Sequence, residues 1–280
     1  MRKYVLNSLG EKEPFSLRKV YQSALRAGAS KKLALRIAQK IKKEIPQNTQ
    51  TSEIFEKVRK ALLKEDPASA LRYNLKKAML KLGPSGFPFE KFIGEVLKSN
   101  GFEVKLNQYL LSGCQIKYEI DFLAQKGKLI YIGECKYHWR KGEKVDLKVA
   151  LENWARFLDL KNSSFFRKLE KENFQIKPMI VTNAKFSQNA IKFSRCLKME
   201  LLGWRYPEDK GLEFLIESKG LYPITILTSF KSSFKEIFSK KGMMLAKDLL
   251  KEDEKVLAKK LKLPLKEILP LIKEAKILFS

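Results

Sequence analysis

Apolar positions recur at helical spacing through the first third of the chain. Leu17 to Ala27 reads as a helix, with Ser16 placed to cap it and Gly28 to end it. Lys31 to Ile45 is a basic amphipathic helix stopped by Pro46. Glu53 to Lys64 follows a cap at Thr51 or Ser52, and Asp66-Pro67 opens a fourth helix running to Leu82. Gly83-Pro84-Ser85-Gly86 reads as a linker. The pattern then changes. Tyr118 to Leu123 and Leu129 to Lys136 are short, rich in β-branched and aromatic residues, and joined by a turn at Gln125-Lys126-Gly127, which predicts a hairpin. Lys177 to Asn183 is a buried strand ending in a Thr-Asn turn, Ser187 caps a helix, and Leu201 to Trp204 is one more strand. Helical spacing returns at Phe230 to Ser239, Leu245 to Lys251, Asp253 to Leu261 and Pro264 to Leu278. The pattern predicts an α/β multi-domain chain with a helical N-terminal domain over 1–84, an α/β core over 85–215 and a small all-helical domain over 216–280.

Charge narrows the partners. Lys and Arg number 57 against 31 Asp and Glu, a net charge of +26 over 280 residues, which attracts nucleic acid or an anionic membrane. The three segments carry +13, +7 and +6, so most acids fall in the middle one. No apolar run approaches the roughly 20 residues of a spanning helix, and Met1-Arg2-Lys3 leads into no signal-type core. DNA is therefore the expected partner and a membrane is not. A hydrophobic content of 44% with 18 phenylalanines argues for folded domains rather than a basic tail. Cys114, Cys135 and Cys196 form no Cys-x-x-Cys pair, which suits a reducing cytoplasm. His138 is the single histidine, so multi-histidine metal sites are excluded. It reads as a surface residue or a phosphate contact.

The hairpin carries the candidate chemistry. Glu134 and Lys136 are two apart on one strand and share a face. With Lys126-Gly127 as the two-residue loop, Asp121 lies opposite Ile132 and diagonal to Glu134. Two carboxylates suit Mg²⁺ or Mn²⁺, which activates water for phosphoryl displacement, and the lysine can orient that water. The competing reading is a solvated hairpin face. The apolar run Leu129 to Ile132 weighs against it.

Asp121 followed by Glu134-x-Lys136 resembles the PD-(D/E)XK restriction-endonuclease superfamily. Gly86 to Val104, with its Phe89-Glu90 pair opening a helix and Gly101-Phe102 closing it, is similar to the first helix and strand of Mrr-type nucleases. The resemblance covers about 120 residues and implies the order helix-strand-hairpin-helix-strand-helix. It also implies catalytic roles for Glu90, Asp121, Glu134 and Lys136, with a metal on Asp121, Glu134 and the carbonyl of Cys135. Glu90 has a second reading, as a first-turn acid on the helix dipole. Ile120 replaces the usual proline before the aspartate.

The first domain resembles the ATP-cone, a small regulatory nucleotide-binding domain, through Gly10 to Val20, Thr51-Ser52-Glu53-Ile54 and Leu71-Arg72-Tyr73. That implies ATP or dATP near Glu13, Lys19 and Thr51. The family's Lys-Arg-Asp-Gly is here Asn7-Ser8-Leu9-Gly10, so both phosphate-binding basic residues are absent, and Lys3 or Arg2 is the available substitute. A protein- or DNA-contact module is the alternative. The C-terminal helices resemble a degenerate helix-hairpin-helix unit, with Gly242 kept and Lys262 at the second hairpin position. A plain packing or dimerisation module is the alternative there.

Together these readings predict a cytoplasmic, metal-dependent DNA endonuclease, tuned by nucleotide and acting as a homodimer or higher oligomer. The alternatives are a nucleotide-responsive DNA-binding regulator on an inactive nuclease fold, and a nucleotide-tuned structural oligomer.

Overall fold

The computed structural model describes residues 3–7, 10–83, 89–140 and 142–280. Arg2, Ser8-Leu9 and the 84–88 stretch, on which parts of the sequence reading fall, lie outside the described residues. The chain forms two compact units. One comprises Met1–Lys81, Tyr222–Phe234 and Ala246–Ser280, the other Leu82–Leu221 and Lys235–Leu245. The stretch expected as a separate third domain is thus divided between the two.

The first unit opens with β1 (Tyr4–Leu6), β2 (Lys12–Pro14), α1 (Leu17–Arg26), α2 (Lys31–Glu44), β3 (Thr49–Gln50), α3 (Thr51–Glu65), α4 (Pro67–Arg72) and α5 (Leu75–Met79). Its small sheet has the order β2-β1-β3, antiparallel then parallel. Ser16, Ser30 and Asp66 cap α1, α2 and α4 by accepting backbone N–H groups. Neither Thr51 nor Ser52 caps α3. β3 runs straight into that helix, and Gln50 stands at the cap position without a side-chain bond to the helix backbone. The expected single helix to Leu82 breaks at Tyr73-Asn74. Tyr73 stacks on Phe55 at 4.7 Å and its hydroxyl lies 3.1 Å from that of Ser23, so packing overrides helical propensity.

The second unit holds α6 (Phe89–Ser99), β4 (Glu103–Leu111), β5 (Lys117–Lys126), β6 (Leu129–Lys136), β7 (Lys144–Val145), α7 (Leu147–Lys161), α8 (Ser164–Lys171), β8 (Gln175–Thr182), β9 (Lys185–Phe186), α9 (Gln188–Cys196), β10 (Glu200–Leu202), α10 (Leu212–Ser218) and α11 (Lys235–Lys240). Its five-stranded sheet runs β10-β8-β6-β5-β4. β6 pairs antiparallel with β5 and parallel with β8, so it is central, which accounts for its apolar run. The hairpin register differs from the expected one. Lys126 pairs with Leu129, so the loop is Gly127-Lys128, and Gly127 takes the left-handed backbone at φ +58° that such a turn favours. Gly133 has to be glycine, because a Cβ there would stand 1.9 Å from the Phe122 ring.

The expected helix from Phe230 to Ser239 is instead a 3-10 turn at Ser232–Phe234 followed by α11, the serines favouring local bonds over a continuous helix. Ala246–Leu250 is also 3-10. α12 (Glu254–Leu261) and α13 (Leu265–Leu278) then return to the first unit. There Arg72 donates to the carbonyl of Leu278 at 2.9 Å and Thr225 to that of Ala78 at 2.9 Å.

Candidate functional site

The β5–β6 ladder ends at Phe122 paired with Gly133. The next residues along the two strands are Asp121 and Glu134, which lie beyond the last ladder pair. In place of a further ladder bond, the Asp121 carboxylate takes over. Its Oδ2 accepts the backbone N–H of Cys135 at 2.6 Å. Glu134 is 8% exposed. Lys136 Nζ donates to its Oε1 at 2.6 Å, and Arg156 Nη1, from α7, donates to its Oε2 at 2.6 Å. Both oxygens of a buried carboxylate are therefore held by cations, as a buried charge requires.

Among the described residues no cation makes an ion pair with Asp121. Burial pushes its carboxyl up to about 6; the Cys135 N–H opposes this, the charges of Glu134 and Glu90 add to it, and the Lys136 charge draws it down. Glu90 lies in the first turn of α6. Burial likewise raises the Cys135 thiol, helped by the charges of Asp121, Glu90 and Glu134, so this cysteine packs as a neutral side chain. Of the four residues that the nuclease resemblance implied, Asp121, Glu134 and Lys136 gather at the ladder end; among the described residues no hydrogen bond or ion pair joins Glu90 to them.

Sequence reasoning missed Arg156. A signal existed: Arg156 borders the buried stripe of α7 formed by Ala150, Asn153, Phe157 and Leu160, where a solvated arginine is out of place. On the same helix the Oδ1 of Asn153 is buried and lacks a partner among the described residues. His138 is tied into the protein beside the site. Its Nδ1 lies 3.0 Å from Glu143 Oε2, and its backbone exchanges two bonds of 2.8 Å with the Asn183 side chain.

Among the described residues, no group of three or more His, Cys, Asp or Glu side chains gathers as a metal cage. Two carboxylates beside a backbone carbonyl nonetheless fit a hard divalent ion that keeps most of its own waters.

The N-terminal set is looser. Lys19 lies 3.2 Å from Glu13 and its side chain is 71% exposed. Among the described residues no hydrogen bond joins Thr51 to this pair. Lys3 does not substitute for the missing basic residues. Its Nζ donates to the carbonyls of Lys42, Lys43 and Ile45 at 2.7, 3.0 and 2.8 Å, closing the C-terminus of α2. Gly242 and Lys262 both take the left-handed backbone, at φ +68° and +53°. They fall in different units.

Fold and site define a mixed α/β multi-domain protein with a buried Glu134 held by Lys136 and Arg156 and a half-buried Asp121 nearby. The chain belongs to the AF1548-like family. The profile described as AF1548-like, C-terminal, matches residues 222–279. An uncharacterized protein of Archaeoglobus fulgidus is 38% identical over 184 residues, 66% of this chain and 98% of the relative. The crystal structure of the protein of unknown function AF1548 is 35% identical, with a TM-score of 0.58 over 68% of this chain and 97% of that one. Among the described residues no helix is long and apolar enough to cross a membrane.

Proposed function

We propose that this protein is a metal-dependent DNA endonuclease that hydrolyses phosphodiester bonds. One observation carries the reading: a half-buried Asp121 and a buried Glu134 stand at the end of a ladder, Asp121 bound to the Cys135 N–H and Lys136 Nζ 2.6 Å from Glu134. Withdrawing two neighbouring acids from water, one fully and one in part, is costly unless a cation and an anionic substrate use them. Asp121, Glu134 and the Cys135 carbonyl would hold Mg²⁺ or Mn²⁺, with Glu90 supporting Asp121. Such an ion, when bound, offsets charge on the phosphate and acidifies water. Lys136 orients the attacking water, whose oxygen bonds to phosphorus as the ester P–O bond breaks. The leaving oxygen takes up a proton. Arg156 keeps Glu134 ionised and aimed.

The net charge of +26 supports DNA as the partner. Free Cys114, Cys135 and Cys196 suit a cytoplasmic setting. A homodimer or higher oligomer would supply two sites for cutting both strands. ATP or dATP at Glu13, Lys19 and Thr51 would regulate the activity, although the engaged Lys3 leaves that site short of positive charge. A second reading, a nucleotide-responsive DNA-binding regulator with an inactive nuclease fold, is favoured by the closure of both Glu134 oxygens by cations.

The test is cleavage of supercoiled, linear, branched and modified DNA in Mg²⁺ or Mn²⁺, with and without ATP and dATP. The wild type is compared with Asp121→Ala and Lys136→Ala. Cutting by the wild type that both substitutions abolish supports the nuclease. Binding of every DNA without cutting any supports the regulator.

A further inference from the structure

Trp139 is 63% exposed, three residues beyond Lys136. A tryptophan left this open is unusual, because its indole is among the largest apolar groups a protein can bury. Trp154 and Trp204 behave otherwise: both pack into the second unit. The segment that carries Trp139 has no regular secondary structure, yet it is firmly held. Thr182 Oγ1 donates to the carbonyl of Lys136 at 2.6 Å. Asn183 accepts from the N–H of His138 and donates to its carbonyl, both at 2.8 Å. Thr182 and Asn183 are themselves buried, at 0% and 1% exposure. The Thr-Asn turn at the end of β8 thus fixes the backbone just before Trp139, and the indole is presented from an anchored base.

The surroundings of the ring identify its occupant. The Arg140 guanidinium stands 4.5 Å from the ring centroid, and Lys136 and Lys144 lie on the flanking strands. Protein hot spots also use tryptophan and arginine, and the net charge of +26 decides for an anionic partner here. An indole with a guanidinium beside it matches the combination that holds unpaired nucleotides, with a flat face for the base and positive charge for the phosphates. Three residues of chain span at most about 11 Å, so the stacked base would sit within a few nucleotides of the phosphate at Lys136.

We infer that Trp139 is a base-stacking site, and that the preferred ligand is DNA with an unpaired nucleotide beside the scissile phosphate, such as a single-stranded extension on a duplex. This inference rests on the nucleic-acid reading above and specifies its substrate class.

Metal-free binding tests it, using fluorescence anisotropy with a blunt duplex and with the same duplex carrying a single-stranded oligo-dT extension. The wild type should bind the extended DNA more tightly. Trp139→Ala should remove that margin, a loss of roughly 5- to 150-fold for one stacked base, with blunt-duplex binding unchanged. Trp139→Phe should keep part of it. Equal binding of both DNAs by the wild type, or an equal loss on both in Trp139→Ala, overturns the inference. Incubating the same DNAs with Mg²⁺ separates the two claims. A margin without cutting leaves the stacking site standing and removes the nuclease, whereas cutting without a margin does the reverse.

Discussion

Two acid–lysine pairs in this chain use the same residue types and differ in everything around them. Glu134 and Lys136 lie 2.6 Å apart on a central strand, the glutamate is 8% exposed, and Arg156 and Asp121 complete the group. Glu13 and Lys19 lie 3.2 Å apart between an edge strand and the first turn of α1, with the lysine 71% exposed. Water screens the second pair, and long side chains lose entropy to form it, so it contributes little. The first is desolvated, and each charge there depends on the others. An ion pair becomes machinery when burial makes its charges expensive to leave alone.

The largest effect that can sharpen this contrast is on cleavage. Lys136→Ala should lower the rate by about 10²- to 10⁴-fold, while Lys19→Ala leaves the rate in the absence of nucleotide unchanged; quantitative cleavage of a labelled duplex measures both. Next in size is stability. Arg156→Ala strands one oxygen of a buried carboxylate and should cost about 2 kcal/mol in a urea titration. Lys136 remains on the other oxygen, which keeps the loss below that of a fully unpaired charge.

Asp121→Asn should act in the opposite direction. The Asp121 carboxyl ionises near 6 when folded, against an ordinary 3.8. Between those values the folded state holds the extra proton, so stability falls as pH rises through this window and stays reduced above it. Asparagine can still accept the Cys135 N–H and carries no charge. In EDTA at pH 7 the variant should be more stable by on the order of 1 kcal/mol, after discounting for partial exposure, and the gain should vanish near pH 3.5. Thermal melts across pH check both parts. The smallest effect is that of Lys19→Ala on stability, below about 0.5 kcal/mol in the same melts. A larger loss would mean that the exposed pair is part of a built site.

Much of this was legible in the sequence where a short-range rule applies. The period-2 alternation places Glu134 and Lys136 on one face, and the apolar run Leu129 to Ile132 marks β6 as buried. The helix caps at Ser16, Ser30 and Asp66 follow from side-chain chemistry; Ser16 and Asp66 were read directly. The hairpin loop was misplaced by one residue because Gly127 suits either loop position. The structure puts it first, which pairs Ile132 with Leu123 in place of Asp121 and keeps the face, since the register shifts by two. Arg156 was missed because its contact spans 22 residues and depends on how α7 packs, which no local pattern encodes. The helices of the last sixty residues showed their periodicity, but not that α13 would settle beside α4, a choice made by tertiary packing.

The most direct test of the central claim is calorimetric titration of Mn²⁺ into the DNA-free protein, wild type beside Asp121→Ala and Glu13→Ala. A binding event present in the wild type and Glu13→Ala and lost in Asp121→Ala is the result predicted for a metal site at the β5–β6 ladder end. Identical titrations for all three proteins would contradict it.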